Sequence, residues 1–368
     1  MSKDALAARK SALKAAMSRE SVEVLVLFGN NWHADHLRYA TDFGIQEGQG
    51  IALVREDGSI TLILDDPAEC ERARGEGAGE AIYAPALVAE ARKQLARAGN
   101  HNICAAPYHL LPYGLLHGEK DLRVADGAKI IERLLMTKME VEIAAIRKAA
   151  ALADEGYAIF RNAARPGRKD YELVAEMESF FRAKGVPENF MIVGVGGPEV
   201  RGMAPPGGKI LKVGDMVTTE LTPCYDGYYA QICRTLVVGE PSDAQRQAFA
   251  VYLEAMEAGI ASVKAGVTAA HVAKAENDVF RKYGLGEYIT SEYTRVRGHG
   301  MGLFPDQKPA ILEDVNITLE AGMTLIVHPN TYHPDVGYLV LGDSLVVREG
   351  GHELLCGTPR ELFSVPLQ

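Results

Sequence analysis

The chain has 368 residues, 47% apolar and 24% charged, which is ordinary for a globular protein long enough to form two domains with sizeable cores. Its formal net charge of −10 at pH 7, with no basic cluster, excludes the phosphate-neutralising footprint of a nucleic-acid binder and attraction to an anionic membrane surface. The cysteines Cys70, Cys104, Cys224, Cys233 and Cys356 are odd in number and lack CxxC spacing, so they read as reduced thiols rather than as a disulfide framework or a structural zinc site.

Residues 1–20 carry charges throughout, and no later stretch approaches the length of a membrane span, so the expected location is cytoplasmic. From 1 to 131 an opening helix is followed by the apolar runs VEVLVLFG, IALV and ITLILDD with helical pieces between them, the pattern of a small α/β domain. Within it, NWHADHLRYATDF at 31–43 reads as a polar loop, although Trp32, His33 and His36 are the residue types that face substrates.

After this the period changes. Ile143, Ile146, Ala150, Ala153, Tyr157 and Phe160 step by three and four, giving an amphipathic helix with one buried face. A second helix is expected from Asp170 as N-cap to Gly185. MVTTEL and YYAQICRTLVV then read as two strands joined through Asp226-Gly227, a hairpin expected to set Glu220 roughly opposite Gln231. Ser242 with Gln245 forms a capping box for another long helix, and a fourth helix runs from near Thr268 to Gly284. Strands return from about Thr294 to Val347, so the region 132–368 contains two successive units of helix, helix and strands.

The wording of this second region resembles the pita-bread family of prolidase, aminopeptidase P, methionine aminopeptidase and creatinase. The likeness rests on Gly214-Asp215, Gly227-Tyr228, Arg234-Thr235 and GHGMGL at 298–303, in consistent order between about 136 and 350. It implies an α+β fold: a curved antiparallel sheet backed by helices, preceded by a creatinase-like N-terminal α/β domain. It also implies a homodimer in which that first domain lies near the neighbour's active site, and a small-molecule substrate rather than a nucleic acid or a membrane.

The family's five metal-ligand positions fall here on Glu220, Gln231, His299, His328 and Gly342. One carboxylate does not balance two dications, Gln231 is a neutral and poor bridge, and Gly342 offers no ligand. No cofactor is therefore expected, the alternative being one zinc or iron ion on Glu220, His299 and His328. The catalytic histidine of creatinase falls on Met203, creatinase's glutamate before Arg-Thr falls on Cys233, and the second peptidase histidine falls on Asp306. Around the cleft the resemblance sets Met203, Tyr228, Tyr229 and Tyr332 as an apolar and aromatic wall, with Arg201, Cys233 and Asp306 as further substrate contacts. Arg234 reads as structural, and Asp343 as a residue that ends a loop.

Three readings follow. The first is a metal-independent hydrolase of a C–N bond in a small nitrogen-containing or amino-acid-like substrate, resembling creatinase and ectoine hydrolase in kind. His299 and His328 act in it as base and acid, Glu220 orients an imidazole or binds a substrate cation, and Gln231 donates to developing negative charge; a lyase using the same groups is not separated from it. The second is a mononuclear metallohydrolase of the Xaa-Pro dipeptidase type. The third is a non-catalytic binding module.

Overall fold

A computed structural model describes residues 3–98, 102–118 and 121–367. It divides into two compact units, Met1–Leu135 and Met136–Gln368.

The first unit is built on a six-stranded sheet. The three apolar runs of the sequence become its strands Val24–Asn30, Gln49–Arg55 and Ile60–Leu64, paired antiparallel in that order, while Ile103–Ala106 runs parallel to Val24–Asn30 on the other side. Central strands covered on both faces need continuous apolar sequence, and Val24 through Gly29 are all buried. Helix Leu87–Ala98 lays Leu87, Ala91 and Leu95 on Val24, Val26, Ile51 and Leu53. The 31–43 segment is a turn followed by helix Asp35–Thr41. The Asn30 side-chain oxygen accepts from the backbone N–H groups of Trp32 and His33 at 2.8 Å each, and Trp32 stands in solvent, 81% exposed.

The second unit contains a ten-stranded sheet whose main path runs Gln307–Ala310, Gly298–Gly300, Thr324–Val327, Gly342–Arg348, Ile232–Val238, Met216–Tyr225, Asn189–Gly196. Every pair along that path is antiparallel. The C-terminal strand Phe363–Val365 pairs in parallel with the far half of Ile232–Val238, from Leu236 to Val238.

Two helix pairs cover one face. Helices Glu140–Ala163 and Asp170–Ala183 pack Ala153, Tyr157, Phe160, Leu173, Met177 and Phe181 onto Val217, Leu221, Ile232 and Leu236. Helices Asp243–Ser262 and Ala269–Lys282 pack Tyr252, Met256, Val272 and Phe280 onto Leu325, Val327, Leu345 and Val347. Because side chains alternate along a strand, residues between these apolar anchors, among them Glu220 and Cys233, point to the opposite face.

The caps decide where the helices begin. Ser242 and Gln245 make the reciprocal capping box, and the Thr268 hydroxyl accepts from the His271 N–H. Asp170 differs from its expected role. It is the first helical residue, with Lys169 at the cap, and its carboxylate accepts from the N–H groups of Gly207 and Gly208 at 3.1 and 2.8 Å, tying down the 205–210 loop.

Candidate active site

The hairpin that carries Glu220 turns at Asp226-Gly227, both with positive φ (48° and 77°), as a tight turn matched to strand twist requires. Its ladder pairs Tyr225 with Tyr228 and Cys224 with Tyr229, and continues as Leu221 with Ile232 and Glu220 with Cys233. Glu220 therefore faces Cys233, and the expected pairing with Gln231 is displaced by two residues. A shift of two keeps a side chain on its face, so Gln231 still shares the face of Glu220, where its amide meets Cys233.

Cys233 is the hub of the cluster. Its thiol donates to Glu220 Oε2 at 3.6 Å and accepts from Gln231 Nε2 at 3.6 Å and Asn330 Nδ2 at 3.7 Å. Burial, with Glu220 beside it, holds the thiol well above its ordinary pKa, so it stays protonated and is not an activated nucleophile. Burial also raises the Glu220 carboxyl to about 7, a rise that the Cys233 hydrogen bond only partly opposes and that nearby Asp306 reinforces.

Two histidines complete the group. The rings of His299 and His328 lie 5.5 Å apart, inclined at 68°. His299 Nδ1 lies 3.0 Å from the Gly300 carbonyl, and a proton there leaves Nε2 as an acceptor. The exposed carboxylate of Asp306 comes within 3.7 Å of the same nitrogen. His328 is buried, its Nδ1 has no hydrogen-bond partner among the described residues, and burial, His299 and Arg297 together depress its pKa well below the ordinary imidazole value. It is a neutral imidazole at physiological pH. Its backbone N–H donates to the Arg297 carbonyl, and the buried Arg297 guanidinium donates in turn to the Asn330 carbonyl at 2.9 Å.

Gly342 sits between the two halves of the cluster. A Cβ built there would come within 2.8 Å of His328 Cβ and 3.1 Å of Cys233 Sγ, so the absence of a side chain is what lets Cys233 and His328 close on each other. Asp343 lies inside strand Gly342–Arg348 and ends no loop. It is buried and paired with Arg234 at 2.7 Å and with Arg360 at 2.6 Å. Arg234 also donates to the Cys233 and Gly342 carbonyls, bracing the two strands from behind.

The wall residues divide into two sets. Tyr332 packs with Cys233, Tyr338 and Val340, and Met203 and Val200 lie against the same group. Arg201 stands over the Tyr332 ring at 5.4 Å. Tyr228 and Tyr229 do not join this cluster. At the hairpin tip, the Tyr228 hydroxyl donates to Glu142 on the first helix of the unit at 2.9 Å, and that of Tyr229 to Glu188 at 2.7 Å. Asn330, Tyr288, Tyr293 and Tyr338 are added by the structure. Of these, Asn330 had a legible signal, standing two residues after His328 in extended sequence and hence on the same side.

The model of metallopeptidase family M24 matches residues 144–349. The chain belongs to this family. An M24 relative, the Xaa-Pro dipeptidase of Pyrococcus horikoshii, is 29% identical over 262 residues, 69% of this chain and 73% of its own. The probable dipeptidase PepE of Mycobacterium tuberculosis is 32% identical over 264 residues, 70% of this chain and 68% of its own. The solved Xaa-Pro dipeptidase from Bacillus anthracis superimposes with a TM-score of 0.86 at 27% identity, covering 98% of this chain and all of that one. The fold is the pita-bread fold, and the M24 chain is a peptidase-type hydrolase.

The dinuclear metal centre usual in M24 enzymes does not fit these residues. Glu220 is the one carboxylate at the ligand positions and its neighbour is a thiol. The Gln231 amide points N–H, not oxygen, at the hub. The space a last carboxylate would need at 342 is taken by His328 and Cys233. Among the described residues, no group of three or more His, Cys, Asp or Glu is arranged to hold an ion.

Proposed function

We propose that this M24 chain hydrolyses the C–N bond of a small amino-acid-derived amide or dipeptide, using its own acid–base groups in place of a dinuclear centre. The observation that carries the reading is that Glu220, Gln231 and Asn330 meet at the Cys233 thiol and that the His299–His328 pair adjoins this thiol across Gly342, on one face of the sheet. Pure scaffolding does not need two imidazoles and a carboxyl group in one cleft.

In this mechanism His299 Nε2 takes a proton from water as it attacks the carbonyl carbon. Glu220, protonated near neutrality, delivers a proton to the departing nitrogen. His328 remains neutral and orients the water or the carbonyl, a change from the acid role suggested by its sequence position. Gln231, whose amide carries a second N–H beside the one given to Cys233, donates to the developing oxyanion.

A second reading is an Xaa-Pro dipeptidase that would hold a single divalent ion on Glu220, His299 and His328, three side chains that would have to close on one another from the positions they take here. The names of the M24 relatives favour its substrate class, and the unpartnered Nδ1 of buried His328 is the atom it would use.

Turnover of Ala-Pro, Gly-Pro and N-acetylated amino acids by protein of known metal content, with and without chelator, separates the two. Cleavage that survives chelation and falls about a hundredfold or more in His299→Gln supports the first. Cleavage that tracks bound metal and recovers when metal is resupplied moves the assignment to the second.

A further inference from the structure

Helix Ala269–Lys282 turns Ala269, Val272, Ala273, Val279 and Phe280 inward, and Glu276 stands among them on the same buried face. Glu276 is fully buried, and neither of its carboxyl oxygens has a hydrogen-bond partner among the described residues. The paired helix makes room for it: a Cβ built on Gly259 would come within 2.6 Å of Glu276 Cγ and 2.9 Å of its Oε1. Packing alone would fill that space with an apolar side chain, because a buried carboxyl group without a partner costs stability.

The charge that answers it lies in the sheet. Arg297, also fully buried, sets its guanidinium carbon 5.4 Å from the centroid of Phe280, one helical turn beyond Glu276. Burial pushes the Glu276 carboxyl well above its ordinary range, and Arg297 pulls against that rise. Burial draws Arg297 down in turn, and Glu276 is the first group to oppose it. A guanidinium keeps its proton inside a protein, so the fold has to surround it with negative charge or acceptors. Glu313, another carboxyl group that acts on Arg297, is already paired with Arg281 at 2.7 Å.

Arg297 reaches the candidate site from behind. Its carbonyl accepts the His328 N–H at 3.0 Å, and its guanidinium donates to the Asn330 carbonyl at 2.9 Å and to the Thr294 carbonyl, while its Nε has no partner among the described residues. Asn330 donates to the Cys233 thiol and accepts from the Leu341 N–H at 3.1 Å. The Thr294 hydroxyl shares a 3.0 Å hydrogen bond with that of Tyr338, whose ring packs with Cys233. One guanidinium thus ties the segment that carries His328 and Asn330 to the segment that supports Tyr338.

We infer that Glu276 is a positioning residue for the candidate site: from the helix layer it holds the Arg297 guanidinium in place, and through Arg297 it sets where His328 and Asn330 stand relative to the Cys233 thiol. The kinetic consequence rests on the proposed hydrolase; the positional one does not. Without the carboxyl group, Arg297 is a buried cation with carbonyl acceptors alone, and its movement toward better solvation draws the Thr294 and Asn330 carbonyls with it.

The test uses Glu276→Leu, Glu276→Gln, Arg297→Met and the double variant Glu276→Leu with Arg297→Met in the full chain. The readouts are the Asn330 side-chain amide and His328 Hε1 resonances, together with kcat and KM for the dipeptide or N-acetylated amino acid that the parent cleaves. Glu276→Leu should move both sets of resonances and lower kcat about tenfold to a hundredfold, with KM within about twofold of the parent. Glu276→Gln, which keeps an acceptor, should do the same to a smaller extent, and it carries the test if the leucine variant does not fold. Because Glu276 acts through Arg297, Glu276→Leu should change nothing further in Arg297→Met. Unmoved resonances in a folded Glu276 variant, an unchanged kcat in an active one, or effects of the two substitutions that add in full overturn the inference. Resonances that move as expected in a chain that cleaves none of these substrates would instead sink the hydrolase reading and leave the positioning role standing.

Discussion

Cys233 lies directly across the ladder from Glu220, and its S–H donates to the half-buried carboxyl group. A thiol is a weak donor and carries no positive charge, so it stabilises the carboxylate far less than a cation or a backbone N–H would. The carboxyl therefore titrates near neutrality.

A stability consequence follows from that shift. The folded pKa of Glu220, about 7, exceeds its ordinary value of 4.5, so between these pH values the folded state binds more protons than the unfolded state. Stability should fall as pH rises through this window, by up to roughly 3 kcal/mol. Glu220→Gln should match the parent near pH 4.5 and exceed it at pH 8, as read from urea unfolding at each pH. An identical pH profile for the two proteins would show that the carboxyl is not desolvated as described.

His328 acts with the opposite sign. Its folded pKa is depressed, so the unfolded chain binds more protons as pH falls through the ordinary imidazole value, and stability should be lost there. His328→Gln should flatten this acid limb of the stability profile. The His328 Hε1 resonance should show no titration near neutral pH, and a midpoint near 6.5 would contradict its burial as a neutral ring.

At Gly342, adding a single carbon should be costly. A methyl group pressed between His328 Cβ and Cys233 Sγ forces one strand to shift, and overpacking of this kind costs about 1–3 kcal/mol. Gly342→Ala should lower the urea midpoint accordingly. Cys233→Ala in the same chain should return only part of the loss, because the contact with His328 remains.

Asp343 supports the site from behind. Asp343→Asn leaves the buried Arg234 guanidinium without a counter-charge and should destabilise the second unit by about 3–5 kcal/mol. Arg360→Gln, which removes the less buried partner, should cost less. Comparable losses from both would mean that the two pairs cannot be ranked by depth.

How much of this was legible depended on the range of the interaction. The Ser242 and Thr268 caps, the Asp226-Gly227 turn and the three apolar strands of the first unit are local signals, and they appear where the sequence sets them. The face on which Glu220, Gln231 and Cys233 lie was also legible, because a two-residue error in register preserves alternation. The hub role of Cys233 was not. It requires knowing that Asn330, 97 residues away, reaches the same sulfur. Tyr228 and Tyr229 misled for a related reason: as neighbours of a turn they read as cleft residues, yet Glu142 and Glu188 hold their hydroxyls elsewhere. Asp170 satisfied the composition rule for an N-cap while spending its carboxylate on a distant loop, a tertiary demand that no local pattern encodes.

The parallel pairing of Phe363–Val365 with Leu236 to Val238 bears on how the protein is made. The strand that carries Cys233 leaves the ribosome well before the segment that covers its far half, and Arg234 must likewise wait for the Thr358 and Pro359 carbonyls. Throughout the intervening synthesis, at roughly 5–20 residues per second, that half of the strand is an open edge able to pair with a neighbouring nascent chain. Chains released after truncation at residue 362 should therefore bind holdase chaperones and aggregate, whereas the released 368-residue chain should not.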